Sequence, residues 1–306
     1  MRSMDNIRDY DLAGVRMDRL IGQMRFAGFQ ATHLADGVEI IRLMRKEKAT
    51  IFLAFTANMV ASGLRSLFAR LCEKKMVHTV ITTGGAIEHD FIRSFRPYLL
   101  GDFGMDDVQL HKKSMNRIGN IIVPTERYVF LEKKVQPLFA RLYKKNKATC
   151  PSEIARELGR ITKDKNSFLY WAAKNGIPVF SPGITDSAIG LQSYFFKQDH
   201  KDFVIDVTGD MKSLADIVLT AKKTGGIILG GGISKHHVLG VNLVRGGLDY
   251  AVYVTTSQPW NGSLSGARTN EAVSWGKIKG ARKGRNHVTI DGDATIVFPL
   301  MISEFL

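Results

Sequence analysis

The sequence predicts an α/β protein built on a doubly wound, mostly parallel β-sheet with helices on both faces. Several short runs are nearly continuous in apolar residues rather than alternating, as strands buried on both faces must be. Stretches with apolar residues at helical spacing lie between them, the pattern of successive strand–helix–strand units. Each run also stops abruptly in Gly, Thr, Ser, Asn, Asp or His, and open sheets of this type bind ligands outside the carboxyl ends of their strands.

Taken in order, residues 51–55 (IFLAF) run into Thr56, Ala57 and Asn58, and residues 77–81 run into TTGGAIEHD (82–90). Residues 177–180 lead into SPGITD, 227–229 into GGGISKHH (230–237), and 250–254 into TTSQPWNGS (255–263). Residues 288–290 form a return strand after the basic turn KGARKGRNH (279–287). A helix is expected over 61–74, where Leu64, Leu67, Phe68 and Leu71 share a face, and another over 213–222 through Leu214, Ile217, Val218 and Ala221. The best linker candidate, KKNKATCPSE (144–153), is no longer than an ordinary surface connection. With no sharp boundary and no repeat, a single domain over 1–306 is expected.

With 306 residues, 44% hydrophobic and 24% charged, the chain has the composition of a soluble globular protein. No stretch approaches the roughly 18 apolar residues of a membrane span. The opening MRSMDNIRDYDLAG carries acids and lacks an apolar core, so no secretory signal is expected and the protein is read as cytoplasmic. Cys72 and Cys150 lie far apart without C-x-x-C spacing and read as reduced thiols. A formal net charge of +14 favours acidic partners, either nucleic acid or an acidic protein.

Gly84-Gly85 and Gly230 to Gly232 each follow a strand, where glycine lets backbone N–H groups approach a phosphate. Neither completes a G-x-G-x-x-G pattern, so each reads equally as a tight strand-to-helix turn. Asp186 and Asp293 are available for ribose hydroxyls. His236-His237 lacks the partners of a zinc site, and no metal is expected; at a strand end it suits proton transfer as well as an ordinary histidine. The loop NGSLSGAR (261–268) leads into Glu271 and into Lys277, which follows a Trp-Gly pair among Ala272, Val273, Trp275 and Ile278. An unperturbed lysine is uncharged only about 0.04% of the time at pH 7, so a nucleophilic lysine needs desolvation or a neighbouring cation. Lys277 reads either that way or as an amphipathic residue whose stem covers the tryptophan.

From about Gly28 onward the chain resembles deoxyhypusine synthase. The resemblance is carried by GFQAT (28–32), FTANMVASG (55–63), TTGGAIEHD (82–90), NRIGNIIVP (116–124), PVFSPGITD (178–186), ILGGGISKHH (228–237), DYAVYVTT (249–256), EAVSWGKI (271–278) and DATIVFPL (293–300). It implies a Rossmann-like NAD-binding topology in one domain, with residues 1–14 as a short N-terminal arm. It also implies NAD-dependent transfer of the aminobutyl group of spermidine to one lysine of the translation initiation factor 5A precursor. By that resemblance Lys277 is the imine nucleophile and His236 transfers the proton. Ala57, Asn58, Met59, Val60, Ala61, Thr83, Gly84, Gly85, Asp186, Gly231, Gly232, Thr256, Ser257, Asp293 and Ala294 bind NAD. Glu88, His89, His236, Gly262, Ser263, Leu264, Glu271, Trp275 and Lys277 contact the amine, with Trp275 offering a cation–π face. A homotetramer with active sites at subunit interfaces is implied as well. Eukaryotic members carry acids where this chain has His89, Leu191 and Leu264, and archaeal-type members are more similar around 262–266. Alternatives are aminobutyl transfer to a free polyamine, as in homospermidine formation, and a noncatalytic protein that binds NAD, polyamine or RNA.

Overall fold

A computed structural model of the chain describes residues 5–280 and 285–306. Residues 281–284 of the expected basic turn and 1–4 of the expected arm therefore lie outside the described residues. The chain divides into two compact units, one of Met1–Phe55, Met76–Ile81 and Leu214–Leu306, the other of Thr56–Lys75 and Thr82–Ser213.

In the first unit, parallel strands run in the order His287–Asp291, Tyr250–Thr255, Thr224–Leu229, Thr50–Ala54, Thr79–Ile81. The winding direction reverses between Thr50–Ala54 and Thr224–Leu229, where Thr50 is in register with Thr224. That reversal is the topological switch point of a doubly wound sheet, so the expected fold class is the observed one. Both central strands, Thr224–Leu229 and Tyr250–Thr255, are buried along their whole length, as their apolar continuity requires. Helix Phe29–Lys46 packs on Tyr250–Thr255 and His287–Asp291, and helix Ile233–Leu243 packs on Thr50–Ala54 and Thr79–Ile81. The first of these contacts is close. A Cβ on Gly37 would lie 2.9 Å from Ile290 Cδ1, and one on Gly225 would lie 2.6 Å from Met44 Sδ.

In the second unit the helix expected over 61–74 is two helices, Ala57–Ala61 and Arg65–Glu73. Ser62 breaks it: its backbone is extended, its hydroxyl donates to Met59 O at 2.7 Å, and it accepts from Leu64 N at 3.3 Å. A small antiparallel sheet of Leu99–Leu100, Ile121–Pro124 and Met115–Ile118 was not anticipated. The linker candidate 144–153 runs from helix Glu126–Lys145 through strand Ala148–Thr149 into helix Pro151–Ile161, all inside this unit. Helix Gly84–Arg93 is held by a buried ion pair, with Arg65 Nε donating to Asp90 at 2.7 Å and Arg65 Nη1 to Asp164 at 2.7 Å. Asp90 also accepts from Ser167 Oγ at 2.5 Å and Leu169 N at 3.1 Å, so its buried carboxylate is well supplied with donors. Cys72 and Cys150 are free thiols, the first buried. Among the described residues no helix is long and apolar enough to cross a membrane.

Candidate active site

In the first unit, strand Thr224–Leu229 ends in Gly230 and Gly232, both at positive φ, and Gly232 opens helix Ile233–Leu243. Gly231 is there for space: a Cβ would lie 2.3 Å from Ser265 Cα. The turn therefore seats the loop of residues 262–267. From the other side, Thr255 Oγ1 donates to Ser265 O at 3.2 Å. Within the loop, Asn261 Oδ1 accepts from Ser263 N at 2.8 Å and from Ser263 Oγ at 2.7 Å. His236 is exposed on the helix, while His237 is half-buried, and burial followed by the His236 charge lowers its pKa.

Helix Thr269–Ser274 follows the loop and explains the Trp-Gly-Lys order. Trp275 caps it; Gly276 turns left-handed at φ 69°, donating to Val273 O at 2.9 Å; Lys277 N donates to Ala272 O at 2.9 Å. These two bonds make a Schellman stop, which needs a residue that tolerates positive φ at the Gly276 position. Beyond it Ile278 is buried, and Lys277 O accepts from Leu248 N at 2.9 Å, so the Lys277 backbone is fixed at both its polar groups. Its side chain is half-buried with Nζ 5.2 Å from the Trp275 ring centroid. Only Ala272 and Ile278 face inward; Trp275 is 67% exposed, so the apolar setting anticipated for Lys277 is one-sided. Glu271 is exposed in the first turn of the same helix. Thr256 is exposed and Ser257 half-buried just past strand Tyr250–Thr255. Asp293 is the N-cap of helix Ala294–Ile302, accepting from Thr295 N and Thr295 Oγ1 at 2.6 Å each.

Lys235, which the sequence did not single out, is the one buried lysine among the described residues of this unit. It is 1% exposed, and its Nζ donates to Leu264 O at 2.9 Å and Ala267 O at 2.6 Å.

In the second unit, Thr83 precedes helix Gly84–Arg93, and its buried Oγ1 finds no hydrogen-bond partner among the described residues. Gly84 and Gly85 are close-packed. A Cβ on Gly84 would meet Ser187 Oγ at 2.5 Å, and one on Gly85 would meet Ala57 Cβ at 2.8 Å. Ala57, Asn58, Met59, Val60 and Ala61 form the neighbouring short helix, and Arg93 Nη1 donates to the carbonyls of Val60 and Ser62 at 2.6 Å each. Glu88 and His89 are each 5% exposed. Burial pushes the Glu88 carboxyl up to about 7, although its Oε2 accepts from Ile189 N at 3.2 Å. Burial, and secondarily the Arg93 charge, pushes His89 down to about 4, and its Nδ1 bonds Tyr98 OH at 2.8 Å. Asp186 and Leu191 are exposed. Among the described residues no group of three or more His, Cys, Asp or Glu gathers as a metal site.

A parallel sheet that collects its polar turns at the strand carboxyl ends is the Rossmann-like class of α/β enzyme. A family model described as deoxyhypusine synthase matches residues 19–305, and the chain belongs to that family. A relative from Pyrococcus furiosus, assigned as a deoxyhypusine synthase, is 44% identical over 292 residues, covering 90% of this chain and 86% of its own. One from Thermoplasma acidophilum with the same assignment is 42% identical over 303 residues, covering 98% and 97%. A crystal structure from Entamoeba histolytica, also assigned as a deoxyhypusine synthase, aligns with TM-score 0.71 at 25% identity over 97% of this chain and 96% of that one. The complex of AgrE with ornithine and NAD+ shares the fold alone, with TM-score 0.55 at 12% identity, over 95% of this chain and 34% of that one.

Proposed function

We propose that the protein catalyses NAD-dependent transfer of the aminobutyl group of spermidine to a lysine of the translation initiation factor 5A precursor. The observation that carries this reading is the Schellman stop that fixes Lys277 beside Trp275, with Glu271 on the same short helix. NAD supplies the hydride acceptor for oxidising the amine and returns the hydride at the end. Lys277 Nζ attacks the carbon of the oxidised amine, the C–N bond to diaminopropane breaks, and the butyl chain remains as an imine on Lys277. The acceptor lysine displaces Lys277 by the same exchange. His236, exposed one turn into its helix, accepts the proton lost during oxidation. Glu271 holds a cationic amine, and the open Trp275 face supplies a cation–π contact.

For the cofactor, the orphaned Thr83 hydroxyl at a helix start fits a polar ligand. In the first unit Thr256, Ser257, Gly232 and Asp293 fit as strand-end and helix-start contacts; in the second, Ala57, Asn58 and Met59 open a helix and Asp186 is exposed, while Val60 and Ala61 are buried. Gly84, Gly85 and Gly231 serve by letting protein approach protein, because the space a Cβ would take is already filled. The outward faces of Trp275 and Trp260 offer apolar surface to a neighbouring subunit, and a cytoplasmic homotetramer with active sites at subunit interfaces is part of the same proposal.

The test is to incubate the protein with NAD and labelled spermidine, with and without the precursor, trap with borohydride and map the adduct. Label on Lys277 that passes to the precursor is expected. Label that passes only to free polyamine establishes homospermidine-type transfer instead, and absence of both adduct and NADH sinks both. Lys277→Arg should abolish the adduct while leaving NAD affinity within about twofold, since it removes the nucleophile and keeps the charge.

A further inference from the structure

Lys235 stands one residue before His236, on the inward face of helix Ile233–Leu243. An ammonium has three donors and no acceptor. Two are spent on the carbonyls of Leu264 and Ala267, and Nζ also lies 4.4 Å from the centroid of the Tyr253 ring. Tyr253 is itself fully buried, and its hydroxyl has no partner among the described residues, so this ring contributes its face rather than a hydrogen bond.

Burying a cation is unfavourable, and a well-packed apolar side chain of similar volume would often be as stable or more so. Burial pushes the Lys235 ammonium down to about 8, with the Glu271 charge opposing that shift. What the cation gains is position. Both carbonyls belong to the loop of residues 262–267, which Gly231 and Thr255 also seat. That loop starts at a left-handed glycine, Gly262 at φ 68°, and within it Gly266 N and Ala267 N donate to Ser263 O.

We propose that Lys235 is a positioning residue for the amine site, holding the backbone of loop 262–267 in its binding shape through the carbonyls of Leu264 and Ala267. The proposal rests on the reading of Gly262, Ser263 and Leu264 as amine contacts. Lys235 does not compete with Lys277 as a nucleophile, because its Nζ is enclosed and engaged. A loop that must be ordered on each binding event lowers apparent affinity by the fraction of time it is competent, while the reaction of the bound state is unchanged.

The experiment compares the intact wild-type protein with Lys235→Met, which keeps the stem and removes the donors. Hydrogen exchange of peptides spanning the loop is measured alongside steady-state turnover with NAD, precursor and varied spermidine. In Lys235→Met the loop amides should exchange about tenfold faster and KM for spermidine should rise about tenfold, with kcat within about twofold. Loop exchange and KM equal to wild type would overturn the proposal, and so would an equal loss in kcat with KM unchanged. Should Lys235→Met fail to fold, Lys235→Gln carries the same expectation, since its shorter stem withdraws the donors from both carbonyls. A wild type that forms no Lys277 adduct defeats the spermidine reading by itself, whereas the loop exchange decides the anchoring role of Lys235 in either event.

Discussion

Glu88 and His89 are neighbours on helix Gly84–Arg93, and burial favours the neutral form of each. For Glu88 the carboxyl rises from a usual 4.5 to about 7, so between those values the folded state binds more protons than the unfolded, and stability falls as pH rises. For His89 the ring drops from 6.5 to about 4, the unfolded state binds more protons over that window, and stability rises with pH. The two effects oppose each other over about pH 4.5–6.5, so the contributions of this pair largely cancel there. Glu88→Gln should expose the His89 contribution: unfolding free energy from urea titrations should climb by up to about 3 kcal/mol between pH 4 and pH 6.5. His89→Asn should expose the opposite slope, a fall over pH 4.5–7. Flat profiles in both variants would show that neither group is held neutral. The chemistry of the site follows from the same burial. A neutral His89 does not replace a carboxylate, and the proposed reaction assigns the anionic contact for the amine to Glu271.

At the scale of single elements, the helix stop that presents Lys277 and the turn that seats its neighbouring loop both depend on glycine. Gly276→Ala should destabilise by about 1–2 kcal/mol, the expense of a left-handed non-glycine residue, and should reduce the yield of Lys277 adduct more than it changes NAD affinity. Equal losses in both would mean that the stop serves stability alone. In the second unit, Asp90→Ala leaves Arg65 with Asp164 as its remaining carboxylate, removes the buried acceptor of Arg65 Nε, Ser167 Oγ and Leu169 N, and should cost about 3–5 kcal/mol in chemical unfolding. Strands were legible in the sequence wherever apolar runs were continuous, as in Tyr250–Thr255. Strand Thr224–Leu229 begins earlier than its apolar run because Gly225 and Gly226 give way to packed side chains, and an apolar scan does not register space. The antiparallel sheet was hidden because its strands are short and Leu99–Leu100 is exposed. Lys277 stood out through its block resemblance, whereas Lys235 was passed over for the histidines beside it. A local signal existed: Lys235, Val238, Leu239 and Asn242 recur at helical spacing and are all buried. Its partners, Leu264, Ala267 and Tyr253, are distant in sequence, so which contacts rescue that buried cation could not be read locally.

Over the whole molecule the charge is lopsided, with 43 Lys and Arg against 29 Asp and Glu. A +14 surface repels a polyamine at long range and attracts an acidic protein, so the two substrates of the proposed reaction meet opposite global fields. Capture of the amine must then rely on short-range contacts such as Glu271 and the Trp275 face, which salt screens less than it screens the long-range field. Docking of a protein acceptor relies on the long-range field, and steering of that kind is felt mainly in the association rate. The two stages can be measured apart. Adduct formation on Lys277 from spermidine and NAD, followed without acceptor, should vary by less than about threefold between 50 mM and 500 mM salt. Transfer from the loaded enzyme to the precursor, expressed as kcat/KM, should fall by about tenfold or more over the same range. Should the transfer stage share the weak salt dependence of the first, the basic surface plays no part in acceptor recognition, and a free polyamine becomes the better-supported acceptor.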